Sequence, residues 1–561
     1  MRAALVAGLA FAGSVSLALA VSGPAAAPQA NPVQAENALP GSTGWHAAPA
    51  PEHAIEGYAS ETSVAPGLTL HLHVSTAPAA RYRVEIYRLG WYGGSGGRLL
   101  ACLPSCTGDE AGEAQPLPQP AADGYLDAGW PVTDSIRVPA TWVSGYYLAV
   151  LRLVTGRAAW IPFVVRAPAS QRSAILVQAA VNTWQAYNRW GGISLYKDAA
   201  GVSCKGVCTR VSFNRPYDPA TQILLGFELP LVHFLEQSGY DVSYVTDADT
   251  DHDPGELLRH RLVVVAGHDE YWTKGMRDGF DRARDLGTNL AFMGANTGFW
   301  QMRYADDRRT IVEYRLRRLD PEPDPALKTV RFRDLVPPRP ECELEGVQYV
   351  RSDVESIGGE HDFAVAPAGL ADLWFLGTGF DASSVLPGIV GYEWDAIEPG
   401  CRTPPLTPLF HYAGPPAPAD AVRLTAPSGA RVFSAGSLGF ARGLDEYRWH
   451  ADSKPSGDPR LEAFVRNAYA DLLRPASPRA LSVTARRGRI IIVVKRTPDP
   501  RVEQATVFRS VAGRRFRPIC HRLANRCVDR DPPSGRLRYP VILRDRWGTS
   551  IPLVSASVRW R

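Results

Sequence analysis

Charge of one sign is scarcely in excess here: Lys and Arg number 61 against 57 Asp and Glu, a formal +4 over 561 residues. So small a surplus does not imply a nucleic-acid partner, and none is expected. Long apolar runs are missing beyond the first thirty residues, so no later segment is suited to span a bilayer. Neither a P-loop nor a GxGxxG fingerprint occurs, and there is no internal repeat. Cysteine is sparse at eight, but its number is even. Glycine and proline are abundant, 50 and 47, which favours turns and β structure over long helices.

The N-terminus sets the expected compartment. Met1-Arg2 precedes an apolar stretch that exits through Ser22-Gly23-Pro24-Ala25-Ala26-Ala27. One basic residue, an apolar core and a small-residue exit describe a cleavable secretory signal peptide over 1–27, with an uncleaved anchor as the alternative. The mature protein is then expected to be secreted, with no membrane contact after cleavage. Six cysteines fall in close pairs, Cys102/Cys106, Cys204/Cys208 and Cys520/Cys527, which leaves Cys342 and Cys401 to pair across a longer loop. No matching CxxC or His pair accompanies them, so four disulfides are expected rather than zinc sites.

Composition then divides the chain. Residues 28–54 lack periodicity and predict a linker. From 55 to 167 short alternating segments, such as Thr69-Leu70-His71-Leu72-His73-Val74, predict an antiparallel sandwich of immunoglobulin type. Over 168–475 continuous apolar strands alternate with helical stretches, Ala174–Gln178, Phe227–Ser238, Arg261–Gly267 and Lys274–Leu286 among them. That alternation predicts an α/β core, a parallel sheet with helices on both faces. Residues 476–561 predict a second, fibronectin-III-like sandwich.

Ligands of open α/β sheets bind beyond the carboxyl ends of the strands. The segments to inspect are therefore His268-Asp269-Glu270-Tyr271-Trp272, after Val265, and Ala295-Asn296-Thr297-Gly298-Phe299-Trp300, after Met293. Two acids and an imidazole at such a place are costly unless paired or metal-bound, although a helix N-cap would also use some of them. The turn after Met293 offers Asn and Thr rather than a nucleophilic Ser or Cys, so covalent catalysis there is disfavoured and Asn296 remains a hydrogen-bond donor to an oxyanion. Asn182–Gly192 follows the first strand of the same sheet and is rich in polar and aromatic groups. Gly391-Tyr392-Glu393-Trp394-Asp395 is a further acid pair among aromatics.

Taken together and in this order, six strings resemble the large (β) subunit of N,N-dimethylformamidase. They are Tyr87–Gly94 (YRLGWYGG), Trp184–Asn188 (WQAYN), Phe213–Tyr217 (FNRPY), His268–Trp272, Asn296–Trp300 and Gly391–Asp395. The resemblance implies a central domain similar to class I glutamine amidotransferases without their cysteine. It also implies a mononuclear ferric iron held by two tyrosines and a glutamate, hydrolysis of a small amide, and a small partner subunit. Matched by motif, the ligands are Glu270, Tyr187 and one of Tyr146 or Tyr147, with Tyr147 preferred. His268, Asn296 and Glu393 are then expected to carry catalysis. Phenolate and carboxylate are hard donors that suit such a cation, which would supply a hydroxide near neutral pH.

The function expected is an exported iron-dependent amidohydrolase acting on a small-molecule amide. A non-catalytic secreted or wall-associated binding protein and a metal-free hydrolase using paired carboxylates are the alternatives. Its expected partners are the small-molecule amide and either further copies of the chain or a small partner subunit.

Overall fold

The computed structural model describes residues 31–198, 200–218, 222–352, 361–446, 457–512, 516–521 and 525–561. The expected signal peptide, 1–27, lies outside the described residues. From 31 onward the expected linker is packed structure. A short helix, Pro32–Asn37, is capped by the Asn31 side chain, and Asn37 donates to Glu236 at 2.7 Å. Trp45 is buried and sandwiched by hydrogen bonds, its Nε1 donating to Ser95 O and its carbonyl accepting from Trp160. The segment has no periodicity because it is a strap anchored by single large side chains, not a repeating element.

The N-terminal sandwich pairs a three-stranded sheet, Glu56–Ala59, Thr69–Ser75 and Asp134–Arg137, with a larger sheet built on Arg81–Leu89, Gly97–Leu103, Gly145–Leu153 and Ala158–Val165. Alternation puts Leu70, Leu72, Val84, Ile86, Ala149 and Leu151 into one closed core.

A nine-stranded sheet occupies the middle of the molecule. Val242–Thr246, Ile175–Ala179, Leu262–Val265, Asn289–Phe292 and Arg431–Ser434 run parallel in that order. Ala419–Thr425, Leu406–Tyr412, His361–Val365 and Val385–Val390 then extend it antiparallel. The expectation of an α/β, amidotransferase-like core is therefore corrected: strand accounts for 35% of the chain and helix for 17%, and the sheets are mixed. The reason lies between Phe292 and Arg431. A parallel core would place crossover helices there, but the chain inserts strand pairs such as Trp300–Ala305 with Thr310–Val312 and Gln348–Ser352 with Glu393–Ala396.

The C-terminal strands, from Ala480–Arg486 to Val558–Trp560, form a three-stranded and a six-stranded sheet around Ile490, Ile492, Val507, Tyr539 and Val541. They dock on the central sheet through Arg261, fully buried, which pairs with Asp499 and Asp545. All four expected disulfides are formed: Cys102–Cys106, Cys204–Cys208, Cys342–Cys401 and Cys520–Cys527. Among the described residues no helix is long and apolar enough to cross a membrane. Both features are compatible with an extracellular protein.

Candidate active site

Three chain segments leave the carboxyl ends of neighbouring parallel strands and meet. Ile175–Ala179 feeds the short helix Val181–Tyr187, Leu262–Val265 feeds His268–Trp272, and Asn289–Phe292 feeds Asn296–Trp300. They approach so closely that glycine is required: a Cβ on Gly294 would stand 1.9 Å from the Gly267 carbonyl oxygen, and Gly267 itself has φ +58°. Cross-links fix the rest. Thr183 Oγ1 accepts from the Glu270 amide at 2.9 Å, Asn182 Nδ2 donates to Tyr271 O at 2.9 Å, and the Phe299 and Trp300 amides donate to Glu270 O at 3.0 Å.

Glu270 is the hub. Its carboxylate accepts from the Tyr187 hydroxyl at 2.9 Å and from the Tyr196 hydroxyl at 2.9 Å, and Tyr271 in turn donates to Tyr196 at 2.5 Å. On the other side His268 Nε2 lies 3.0 Å from Glu393 and 3.5 Å from Glu270. Asn296 Nδ2 donates to Glu393 at 2.7 Å, and its backbone amide donates to Asp395 at 2.9 Å. Asn296 holds φ 54°, a left-handed conformation that asparagine tolerates better than most residues. Tyr187, Tyr196, Glu270, Asn296 and Glu393, with Arg189, Ser194, Lys197, Phe299, Trp300 and Tyr349, line a cavity of about 450 Å³, and the buried His268 touches that wall through Glu393 and Glu270.

The electrostatics follow from that crowding. Burial raises the Glu270 carboxyl to about 7, His268 beside it pulling the other way. Burial alone would lower His268, but Glu393 and then Glu270 outweigh it and raise the imidazole to about 9. The Tyr187 and Tyr196 phenols are pushed well above their ordinary range, first by burial and then by the Glu270 charge. Without a cation this oxygen cluster therefore keeps its phenol protons. A bound multivalent ion would reverse that balance.

His268, Glu270, Tyr187, Asn296 and Glu393, chosen from the sequence, are thus brought together. Tyr147 is not, which corrects its expected place among the ligands. Its hydroxyl donates to Val143 O at 2.7 Å, and its ring packs on Trp142 and Phe163 in the core of the N-terminal sandwich. The alternative, Tyr146, points the opposite way along the strand but does not reach Glu270 either: its hydroxyl donates to Glu228, which also accepts from Trp184 Nε1 at 2.6 Å.

The second phenol on Glu270 is Tyr196, which sequence reasoning missed. It sits in a loop that long-range clamps hold. Arg215 of the Phe213–Tyr217 string, fully buried, donates to the carbonyls of Gln185, Asn188 and Ile193. Arg315 donates to Leu195 O and covers the Tyr196 ring at 5.0 Å. Cys204–Cys208 closes the far side. The available signal was an aromatic in a loop trailing the Trp184–Asn188 string and ending at a cysteine pair.

Glu228 gives a test of the buried network behind the site. Burial pushes its carboxyl from 4.5 up to about 8. The folded protein then holds this proton over a range in which the unfolded chain has released it. Stability is expected to fall as pH rises from about 4.5 to about 8, by up to ~1.4 kcal/mol per unit from this group. Chemical denaturation across that range should show a shallower slope for Glu228→Gln. An unchanged slope would remove Glu228 from the account.

Comparison with curated proteins finds no match. Among solved structures, titin domains A168–A170 align at 15% identity over 15% of this chain and 32% of that one, with a TM-score of 0.14. The spore cortex lytic enzyme SleM of Clostridium perfringens aligns at 15% identity over 20% of this chain and 36% of that one (TM-score 0.15). The FN1–FN3 domains of chicken CNTN1 align at 12% identity over 36% and 57% (TM-score 0.15). The chain spans about a third of the titin fragment, and likenesses this slight bear on neither fold nor function. The family model described as N,N-dimethylformamidase beta subunit-like, C-terminal, matches residues 83–454, which include every group around Glu270, and the chain belongs to that family.

Proposed function

We propose that the protein is an exported amidohydrolase that cleaves the C–N bond of an amide at the Glu270 cavity, with a mononuclear iron held by Tyr187, Tyr196 and Glu270. The observation that carries this reading is the convergence of two phenol hydroxyls on one buried carboxylate, beside a His268–Glu393–Asn296 network whose Glu393 and Asn296 line the same cavity. Among the described residues no group of three His, Cys, Asp or Glu side chains is arranged to hold a metal ion, so phenol oxygens would have to complete any ligand set here. An all-oxygen, anionic set fits a hard cation. When bound, such an ion polarises the amide carbonyl and acidifies a water.

The remaining roles fall to the chain itself. Asn296 lines the cavity, and the Nδ2 hydrogen that it does not give to Glu393 would donate to the carbonyl oxygen as it gains charge. Glu393, paired with His268, takes the proton of the attacking water. His268, held protonated, gives a proton to the nitrogen as the C–N bond breaks, leaving an acid and an amine. Family membership and the polar constellation at the cavity support this reading over a non-catalytic binding protein.

The test is elemental analysis with a visible spectrum of the purified full chain. Iron, a phenolate-to-metal absorption band, and its loss in Tyr187→Phe and Tyr196→Phe are expected, with Tyr147→Phe retaining it. A colourless, iron-free protein from metal-replete expression would sink the metal assignment. Activity that survives metal stripping would favour the paired acids Glu270 and Glu393 acting alone.

A further inference from the structure

We infer that the substrate carries an anionic group, a carboxylate by preference, at the end away from the scissile carbonyl, and that Arg189 and Lys197 recognise it. This rests on the amidohydrolase reading of the same cavity. Three features of the cavity support it.

Size comes first. At about 450 Å³ the cavity falls in the range of roughly 300–1,000 Å³ typical of sites for drug-sized ligands, far more than a single small amide fills. Phe299, Trp300 and Tyr349 give it an apolar, aromatic wall able to cover a substrate body.

Charge comes second. The buried acids Glu270 and Glu393 line the same cavity as the exposed cations Arg189 and Lys197. Neither cation has an ion-pair partner among the described residues; their hydrogen bonds are made by the backbone, Arg189 N donating to Asp218 and Lys197 N to Ser194, and their carbonyls accepting from the Gly192 and Ser194 amides. Other guanidiniums nearby are engaged: Arg215 and Arg315 hold loop carbonyls, Arg331 pairs with Asp334, and Arg333 pairs with Glu341. A lone exposed Lys or Arg means little. Two cations without ion-pair partners, in a cavity that also holds two buried acids, give it both signs of charge, so an anion is repelled by Glu270 and Glu393 and drawn to Arg189 and Lys197. The planar fork of Arg189 suits a carboxylate.

Placement comes third. Arg189 lies two residues after Tyr187, and Lys197 directly follows Tyr196. Arg189 thus lies just past the helix that carries Tyr187, and Lys197 on the clamped loop that brings Tyr196 to Glu270, so the recognition element and the chemistry share one stretch of chain.

The test uses a matched pair of probes, N-formyl-phenylalanine and N-formyl-phenylalaninamide, which differ in charge and scarcely in size. Calorimetric titration of the full chain at low salt is expected to show about tenfold tighter binding of the anionic probe, an advantage that shrinks in about 0.5 M salt. Arg189→Ala with Lys197→Ala should erase the preference. Removing the same charge from the distant C-terminal sandwich, by Arg489→Ala with Lys495→Ala, should leave it. Equal binding of the two probes, binding of neither, or a preference retained in the Arg189/Lys197 variant overturns the inference. Release of free amine scores the hydrolase reading separately: a charge preference without turnover upholds the anion site while sinking the hydrolase.

Discussion

Glu270→Gln is expected to lower kcat/KM toward an amide by about a thousandfold or more, roughly 4 kcal/mol of transition-state stabilisation, while the chain stays folded. The carboxylate is nearly fully buried and accepts from two phenols. A glutamine keeps the shape and can still accept one of those bonds, so the fold loses little. It cannot supply the anionic oxygens that would hold a hard cation, nor the charge that lies 3.5 Å from His268. Asn296→Ala should cost less, about a hundredfold to a thousandfold, because it removes one donor and leaves the ligand set intact. Tyr196→Phe separates the two ideas: it should reduce activity and metal content together, whereas Asn296→Ala should reduce activity alone. Initial rates, with circular dichroism as the control for folding, check all three. A Glu270→Gln enzyme with wild-type kcat/KM would exclude this carboxylate from the chemistry.

How much of this is legible in the sequence depends on whether a signal is local. The strands ending at Val265 and Phe292 are continuous apolar runs, and the carboxyl-end rule led directly to His268, Glu270 and Asn296. Glu393 emerged only through its acid–aromatic string, and its approach to His268 spans 125 positions of chain that no periodicity connects. Tyr146 and Tyr147 were correctly read as facing opposite ways on Gly145–Leu153. What alternation does not say is what each side meets, which proved to be the Glu228 carboxylate on one and the sandwich core on the other. Tyr196 was invisible for the converse reason: its loop has no period, and Arg215 and Arg315 place it from elsewhere in the chain. The α/β expectation failed because individual parallel strands look the same whether crossover helices or strand insertions follow. Here the sheet is completed by antiparallel strands from beyond residue 360.

Arg88→Ala is expected to be the most destabilising single change in the N-terminal half, at about 3–5 kcal/mol, because it leaves a buried charge unpaired. Arg88 belongs to the Tyr87–Gly94 string and is wholly buried. Its guanidinium donates to both Glu236 oxygens, at 2.7 and 2.8 Å, and to Ser144 O at 2.9 Å. Glu236 also accepts from Tyr244 at 2.9 Å and from Asn37 at 2.7 Å, so four segments meet on one carboxylate. Gly90 belongs to the same joint, since a Cβ there would stand 2.3 Å from Glu236 Oε2. The pair fastens the N-terminal sandwich to helix Gln222–Gln237, which also carries Glu228 behind the site. Removing one partner should therefore hurt far more than removing both. Arg88→Met with Glu236→Leu replaces the pair with apolar groups of similar bulk and is expected to recover most of the loss. Denaturant midpoints of the two single variants and the double variant complete the cycle. A loss below about 1 kcal/mol for Arg88→Ala would mean that water reaches the joint and that the two units are held together chiefly by their apolar contacts.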